Sequence, residues 1–171
     1  MDVKSYTEPS GLTMVGQFHE TFKHPVADRP GIPNEKRAAL RVKLIGEELK
    51  ELDTAMRGGD EAGVLDALCD LQYVLSGTIL ECGMQELFSS AFAEVHRSNM
   101  SKACQDVETA EATIGHYGSE AHPERCEAYY KKDPKTNMYL VYRASDDKTL
   151  KSINYSKADL RQFLTVQGGN D

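Results

Sequence analysis

A chain of 171 residues can bury one ordinary core and carry a small appendage, but it is too short for two full domains. With 40% hydrophobic and 27% charged residues its composition is globular rather than disordered. The net charge of -7 has the wrong sign for gripping a nucleic acid polymer, which is held mainly by excess Lys and Arg. A small anionic ligand stays open if a metal ion supplies positive charge. No run approaches the roughly 18 apolar residues of a spanning helix. The start, "MDVKSYTEPSG", has neither signal nor transit character, so a cytoplasmic chain with no membrane partner is expected.

In chain order, the periodicity predicts a first helix over about 12–23, with Val15, Phe18 and Phe22 on one face. "HPVADRPGIP" follows, and its three prolines impose an extended connection. A second helix over about 35–57 carries Ala38, Val42, Ile45, Leu49, Leu52 and Met56 as an apolar stripe expected to face the core. "GGD" breaks it, and a third helix runs over about 62–81. A fourth, about 84–102, is expected to turn Phe88, Ala91, Phe92 and Val95 inward. The short connections predict an all-α, antiparallel four-helix bundle over 1–104. Beyond it, 105–171 reads as an extension with a small β-hairpin, strands at about 138–143 and 149–154, and a last helical turn capped by Ser156. Cys69, Cys82, Cys104 and Cys126 lack metal-type spacing and are expected to be free thiols.

The acidic residues are the anomaly. At roughly 100° per residue, Glu48 lies at the edge of the second helix's stripe, Glu51 farther round on the same side, and Glu47 nearly opposite. Asp66 and Asp70 stand one turn apart in a helix apolar almost all round, which is normally a buried one, so both are expected near the interior. Two like charges there repel, and an unpaired buried carboxylate costs several kcal/mol. Either pairing with Arg37 or Arg41, or a divalent cation, removes that cost. Carboxylate oxygens favour a hard ion, Mg2+ or Mn2+, over zinc. Taken alone, Glu47, Glu48 and Glu51 also match a solvated helix face.

On the fourth helix, Asn99 and Lys102 continue the inward stripe. They fit contacts to anionic oxygens, or a lysine complementing the helix dipole. His96 and Arg97 read as surface residues. His19, beside Phe18 and Phe22, fits either a packed core histidine or a ligand contact.

"EELKEL", then "DALCDLQYVLSGT" and "FAEVHRSNMSK", resemble the all-alpha nucleoside triphosphate pyrophosphohydrolases, a group with MazG proteins, dimeric dUTPases and phosphoribosyl-ATP pyrophosphohydrolases. "QFHETFKHP", "HRSNMSK" and "YRASDDKTLKSINY" resemble the MazG-like, phosphoribosyl-ATP-pyrophosphohydrolase-like branch. The resemblance covers about 14–102 well and the hairpin region loosely. The family pattern is EExxE followed by ExxD. Glu47, Glu48, Glu51 and Asp70 match it, whereas Ala67 stands where the second motif's glutamate is expected, with Asp66 one residue earlier.

The resemblance implies Mg2+-dependent hydrolysis of a nucleoside triphosphate to monophosphate and pyrophosphate, in nucleotide-pool house-cleaning. Glu48, Glu51 and Asp70, with Asp66 as a fourth, would hold metal. Glu47 would orient or deprotonate the attacking water. Lys102 and Asn99 would contact phosphate or sugar. A homodimer is expected, with a tetramer possible. The alternatives are phosphoribosyl-ATP hydrolysis and a noncatalytic nucleotide-binding module that has lost turnover with Ala67.

Overall fold

The computed structural model describes residues 4–164. The chain groups into two compact units, one spanning Tyr6–Ser89 and the other beginning at Ser90. The change of unit falls inside a helix, earlier than Cys104, where the helical pattern fades.

The first unit holds α1 (Gly11–Phe22), α2 (Glu35–Gly58), α3 (Glu61–Glu81) and the opening of α4 (Gln85–Met100). Its helix ends follow local chemistry. Asn34 caps α2 by accepting the Arg37 N–H, and Asp60 caps α3 by accepting the Gly63 N–H at 3.0 Å. Gly59, at φ 68°, closes α2 in the left-handed conformation that glycine adopts without strain. The proline-rich connection between α1 and α2 is irregular, with a bend at Asp28 and Arg29. It donates Ala27 N–H to Leu80 O at 3.0 Å and Gly31 N–H to Cys82 O at 2.9 Å, satisfying carbonyls at the end of α3.

Both α1 and α2 pack on α3, but the covering is uneven. Val15, Ala67, Ile79 and Leu80 are buried. The expected core stripe of α2 is a correction: Val42, Leu49 and Met56 are 72%, 57% and 59% exposed, while the buried residue of α2 is Arg41. Periodicity finds an apolar face without telling which neighbour covers it. The interior placement of Asp66 and Asp70 is corrected as well, since both are exposed. In α3 burial concentrates in the C-terminal half, from Ser76 to Glu81, and leaves Leu65 and Leu68 open. By length and composition alone α3 is apolar enough to cross a membrane, which the sequence reading had not expected. Core helices share that property, and Asp66 and Asp70 would be costly in lipid.

The second unit contains the rest of α4, then α5 (Val107–Gly118), β1 (Ala128–Lys132), β2 (Tyr139–Arg143) and a single 3-10 turn, Arg161–Phe163. Along α4 the inward residue is Ser98, and Phe92 and Val95 lie exposed, contrary to the expected stripe. Helix α5 was not anticipated. Asp106 caps it by accepting the Thr109 N–H at 2.7 Å, and its inner face is Ala110, Thr113 and Tyr117, too small and polar to register as a hydrophobic stripe. With Cys104, Val141 and Leu150 these residues build the unit's core.

The hairpin exists with a different first strand. β1 pairs antiparallel to β2, Ala128 opposite Arg143 and Lys132 opposite Tyr139. The expected strand at 149–154 is reduced to a bridge between Thr149 and Tyr142, although the turn at Asp146 and Asp147 is present, with Asp147 at φ 55°. The following segment runs along the end of α4 instead: Ser152 N–H donates to Lys102 O at 3.1 Å, and Ser156 N–H to Ser101 Oγ at 3.0 Å. Ser156 is therefore not the cap of the last turn; Asp159 accepts the Arg161 N–H there. All four cysteines are free thiols.

Candidate active site

A charged cluster inside the first unit sets the relation of α1, α2 and α3. Glu81, on the last turn of α3, accepts from Arg41 Nε at 2.8 Å and Arg37 Nε at 3.0 Å. Burial alone would raise the Glu81 carboxyl, but the hydrogen bonds and charges of the two arginines outweigh it and hold the group below its ordinary value. His19 lies beneath, 2% exposed. Its Nδ1 lies 2.9 Å from Pro25 O and its Nε2 3.2 Å from Arg41 Nη2. Burial, assisted by the Arg41 cation, lowers its pKa. This is the environment of the packed-histidine alternative, and a substrate contact through that ring would have to break one of these bonds. The arginines that might have paired Asp66 and Asp70 are thus committed to Glu81.

The carboxylates gather farther along the α2–α3 seam. Glu48 lies seven residues beyond Arg41, on the same side of α2, and is half-buried. Burial and then the charges of Glu51, Asp70, Glu47 and Asp66, in that order, push its carboxyl above the ordinary range. Four of the five acids singled out in the sequence, from two helices, therefore act on Glu48. Glu51 and Asp66 also border one surface depression of about 320 Å³. Glu47 points outward enough to pair with Lys43 Nζ at 3.2 Å. For Glu48, Glu51, Asp66 and Asp70, no ion-pair partner is seen among the described residues. Ala67 is buried, so the position where the family pattern carries an acid faces the interior and Asp66 stands at the rim.

The donor set is oxygen-only and carries excess negative charge, which is the chemistry of a hard divalent cation. Among the described residues no three acidic, histidine or cysteine side chains are already drawn together as a ligand cage.

One turn along the same seam lies a pocket that sequence reasoning missed. It measures about 230 Å³, with Phe18, His24, Leu44, Tyr73 and Val74 in its wall. Leu44 is one turn before Glu48, and Val74 one turn after Asp70. The Phe18 ring stacks on His24 with centroids 5.6 Å apart and meets Tyr73 edge-on at 5.6 Å. The available signal was the aromatic and histidine content of "QFHETFKH". Glu81 was missed too, although a lone glutamate ending an apolar helix is as anomalous as Asp66.

In the second unit, Lys102 Nζ donates to Asn99 Oδ1 at 2.9 Å, so these two candidate substrate contacts are already joined. Lys102 is half-buried and Asn99 exposed. Arg97 is paired with Glu94 at 2.7 Å.

Residues 15–99 match the family described as phosphoribosyl-ATP pyrophosphohydrolase, a member of the all-alpha MazG-like superfamily. A 73-residue stretch is 39% identical to an uncharacterized protein of Acanthamoeba polyphaga mimivirus, covering 43% of this chain and 29% of that protein. The chain thus spans less than a third of that relative's length.

Proposed function

We propose, from the premise that this chain belongs through residues 15–99 to the phosphoribosyl-ATP pyrophosphohydrolase family, that it hydrolyses a nucleoside triphosphate to its monophosphate and pyrophosphate. The observation that carries the reading is that Glu48, half-buried on the α2–α3 seam, is surrounded by Glu51, Asp70, Glu47 and Asp66, whose charges help burial to raise its carboxyl. Glu48, Glu51 and Asp70 would hold Mg2+ or Mn2+, with Asp66 as a further oxygen donor at the rim. When bound, the ion neutralises phosphate charge and stabilises that of the leaving group. Because Mg2+ keeps several waters and takes only a few carboxylates directly, a loosely gathered set of acids suffices.

Glu47, which pairs with the exposed Lys43, would orient a water and take its proton, a role supported by the family resemblance. The water oxygen bonds to the α phosphorus, its bond to the α–β bridging oxygen breaks, and pyrophosphate leaves with that oxygen and electron pair while the monophosphate keeps the water oxygen. By the family resemblance alone, Lys102 and Asn99 would offer a cation and an amide to phosphate or sugar oxygens. The aromatic pocket beside Leu44 and Val74 has the planar, apolar lining that suits a nucleobase.

A second copy of the chain is the partner we infer for the open apolar faces. Val42, Leu49 and Met56 on α2, with Leu65 and Leu68 on α3, are largely exposed, more than a lone unit should leave in water.

The family's own description favours a second reading, phosphoribosyl-ATP as substrate, and Ala67 favours a third, nucleotide binding without turnover. Products released from a panel of ribo- and deoxyribonucleoside triphosphates and phosphoribosyl-ATP, with Mg2+, separate the three. Monophosphate and pyrophosphate from nucleoside triphosphates is the expected result. Turnover of phosphoribosyl-ATP alone selects the second reading, and binding without products selects the third.

A further inference from the structure

In the second unit three lysines lie on segments that meet at the end of α4. The segment following the hairpin is laced to the end of α4 by Ser152 N–H to Lys102 O, Ser98 Oγ to Tyr155 Oη at 3.0 Å, Ser156 N–H to Ser101 Oγ, and Arg97 Nη2 to Lys157 O at 3.3 Å. Ser98 and Ser152 are buried, so the lacing is part of the unit's interior. Its outcome is that Lys151 and Lys157 are brought to the helix end that carries Lys102. Lys151 Nζ stands 4.7 Å above the ring centroid of Tyr155. The Tyr155 phenol is pushed below its ordinary value, first by the Ser98 hydrogen bond and then by the charges of Lys151, Lys102 and Lys157.

None of these three ammonium groups is ion-paired with a carboxylate among the described residues. One lysine is enough to complement a helix C-terminus. Lys151 and Lys157 are carried by a segment bonded to the end of α4 that bears Lys102, and like charges gathered on one short stretch favour an anion that joins them. Point charges on flexible stems, set around a phenol that can donate a hydrogen bond, suit an anion with several oxygens and more than one charge.

We propose that Lys102, Lys151, Lys157 and Tyr155 form a polyphosphate-binding subsite in the second unit. It extends the contact expected of Lys102 to residues outside the family match, and it rests on the proposed function only for the source of its ligand. The phosphate chain could belong to the nucleotide or its pyrophosphate product, or be free inorganic phosphate.

The test is calorimetric titration of the full chain with pyrophosphate, and separately with inorganic phosphate, in metal-free buffer. Wild type is compared with Lys151→Ala/Lys157→Ala and Lys151→Arg/Lys157→Arg. The alanine pair should weaken pyrophosphate binding about tenfold or more, the arginine pair should retain it, and inorganic phosphate should bind more weakly than pyrophosphate. Inorganic phosphate binding as tightly, with the same lysine dependence, would assign the site to free phosphate and overturn the polyphosphate assignment. Equal affinity in wild type and the alanine pair, or equal loss in both variants, would overturn the subsite altogether. Lysine-dependent pyrophosphate binding in a protein without turnover would leave the subsite standing and remove the hydrolase; turnover with lysine-independent binding would do the reverse.

Discussion

The Arg41 guanidinium on α2 and the Glu81 carboxylate on α3 form a buried ion pair, their side chains 9% and 1% exposed. With Arg37 and His19 around it, the pair joins three helices at the end of the seam opposite the exposed acids. Removing one partner leaves the other charge uncompensated in the interior, which typically costs about 3–5 kcal/mol. Glu81→Gln should therefore lower the unfolding free energy by about 3 kcal/mol or more in urea denaturation. Arg41→Met combined with Glu81→Leu should recover part of the loss, because the desolvation cost disappears with the charges.

Acid should weaken the fold in two steps. The pKa of His19 is lowered on folding, so its stabilisation is present above the unfolded value of 6.5 and is lost as pH falls through the lower folded value. Glu81 is also lowered, so its share is present above 4.5 and is lost as pH falls through its folded value. Glu48 acts oppositely. Its raised carboxyl disfavours the charged form, and acidification relieves that strain. Urea midpoints should fall from pH 7 to pH 5.5 and again toward pH 4, and Glu81→Gln should flatten the second fall.

Gly83 is the position where a side chain has no room. Its φ is 64°, and a Cβ placed there would overlap the carbonyl oxygen of Arg29, a backbone atom held by the loop that caps α3. Gly83→Ala should cost about 2–3 kcal/mol and lower the melting temperature. At the half-buried Gly46, where nothing lies within 4 Å of an added Cβ, alanine should be neutral or slightly stabilising.

Glu48→Gln separates stability from function. The neutral amide removes a charge that burial and four carboxylates disfavour, so the metal-free variant should melt roughly 1–4 °C higher than wild type. Added Mg2+ should raise the melting temperature of wild type and leave the variant's nearly unchanged.

Much of the helical unit was legible because its punctuation is local. Asn34, Asp60, Gly59 and the prolines of 25–33 set the helix limits within a residue or two of those expected. The acids were legible as a group because spacing alone puts Glu48 and Glu51, and Asp66 and Asp70, on shared faces. What spacing cannot say is which face the chain covers. Val42, Leu49 and Met56 form a stripe as regular as any core, yet they are open, while Arg41 is buried because Glu81, forty residues away, draws it inward. Helix α5 and strand β1 were missed for the opposite reason. Ala110, Thr113 and "AYYKK" carry little hydrophobic signal, and their structure comes from packing with Val141 and Leu150.

The acids around Glu48 are proposed to serve hydrolysis of a phosphoanhydride. The most direct measurement is phosphorus NMR of products formed from nucleoside triphosphate by wild type and Glu48→Gln, with Mg2+ and with chelator. Equal amounts of monophosphate and pyrophosphate, dependent on Mg2+ and reduced at least about 100-fold in the variant, is the predicted result. Orthophosphate as the product, or undiminished turnover in Glu48→Gln, would contradict it.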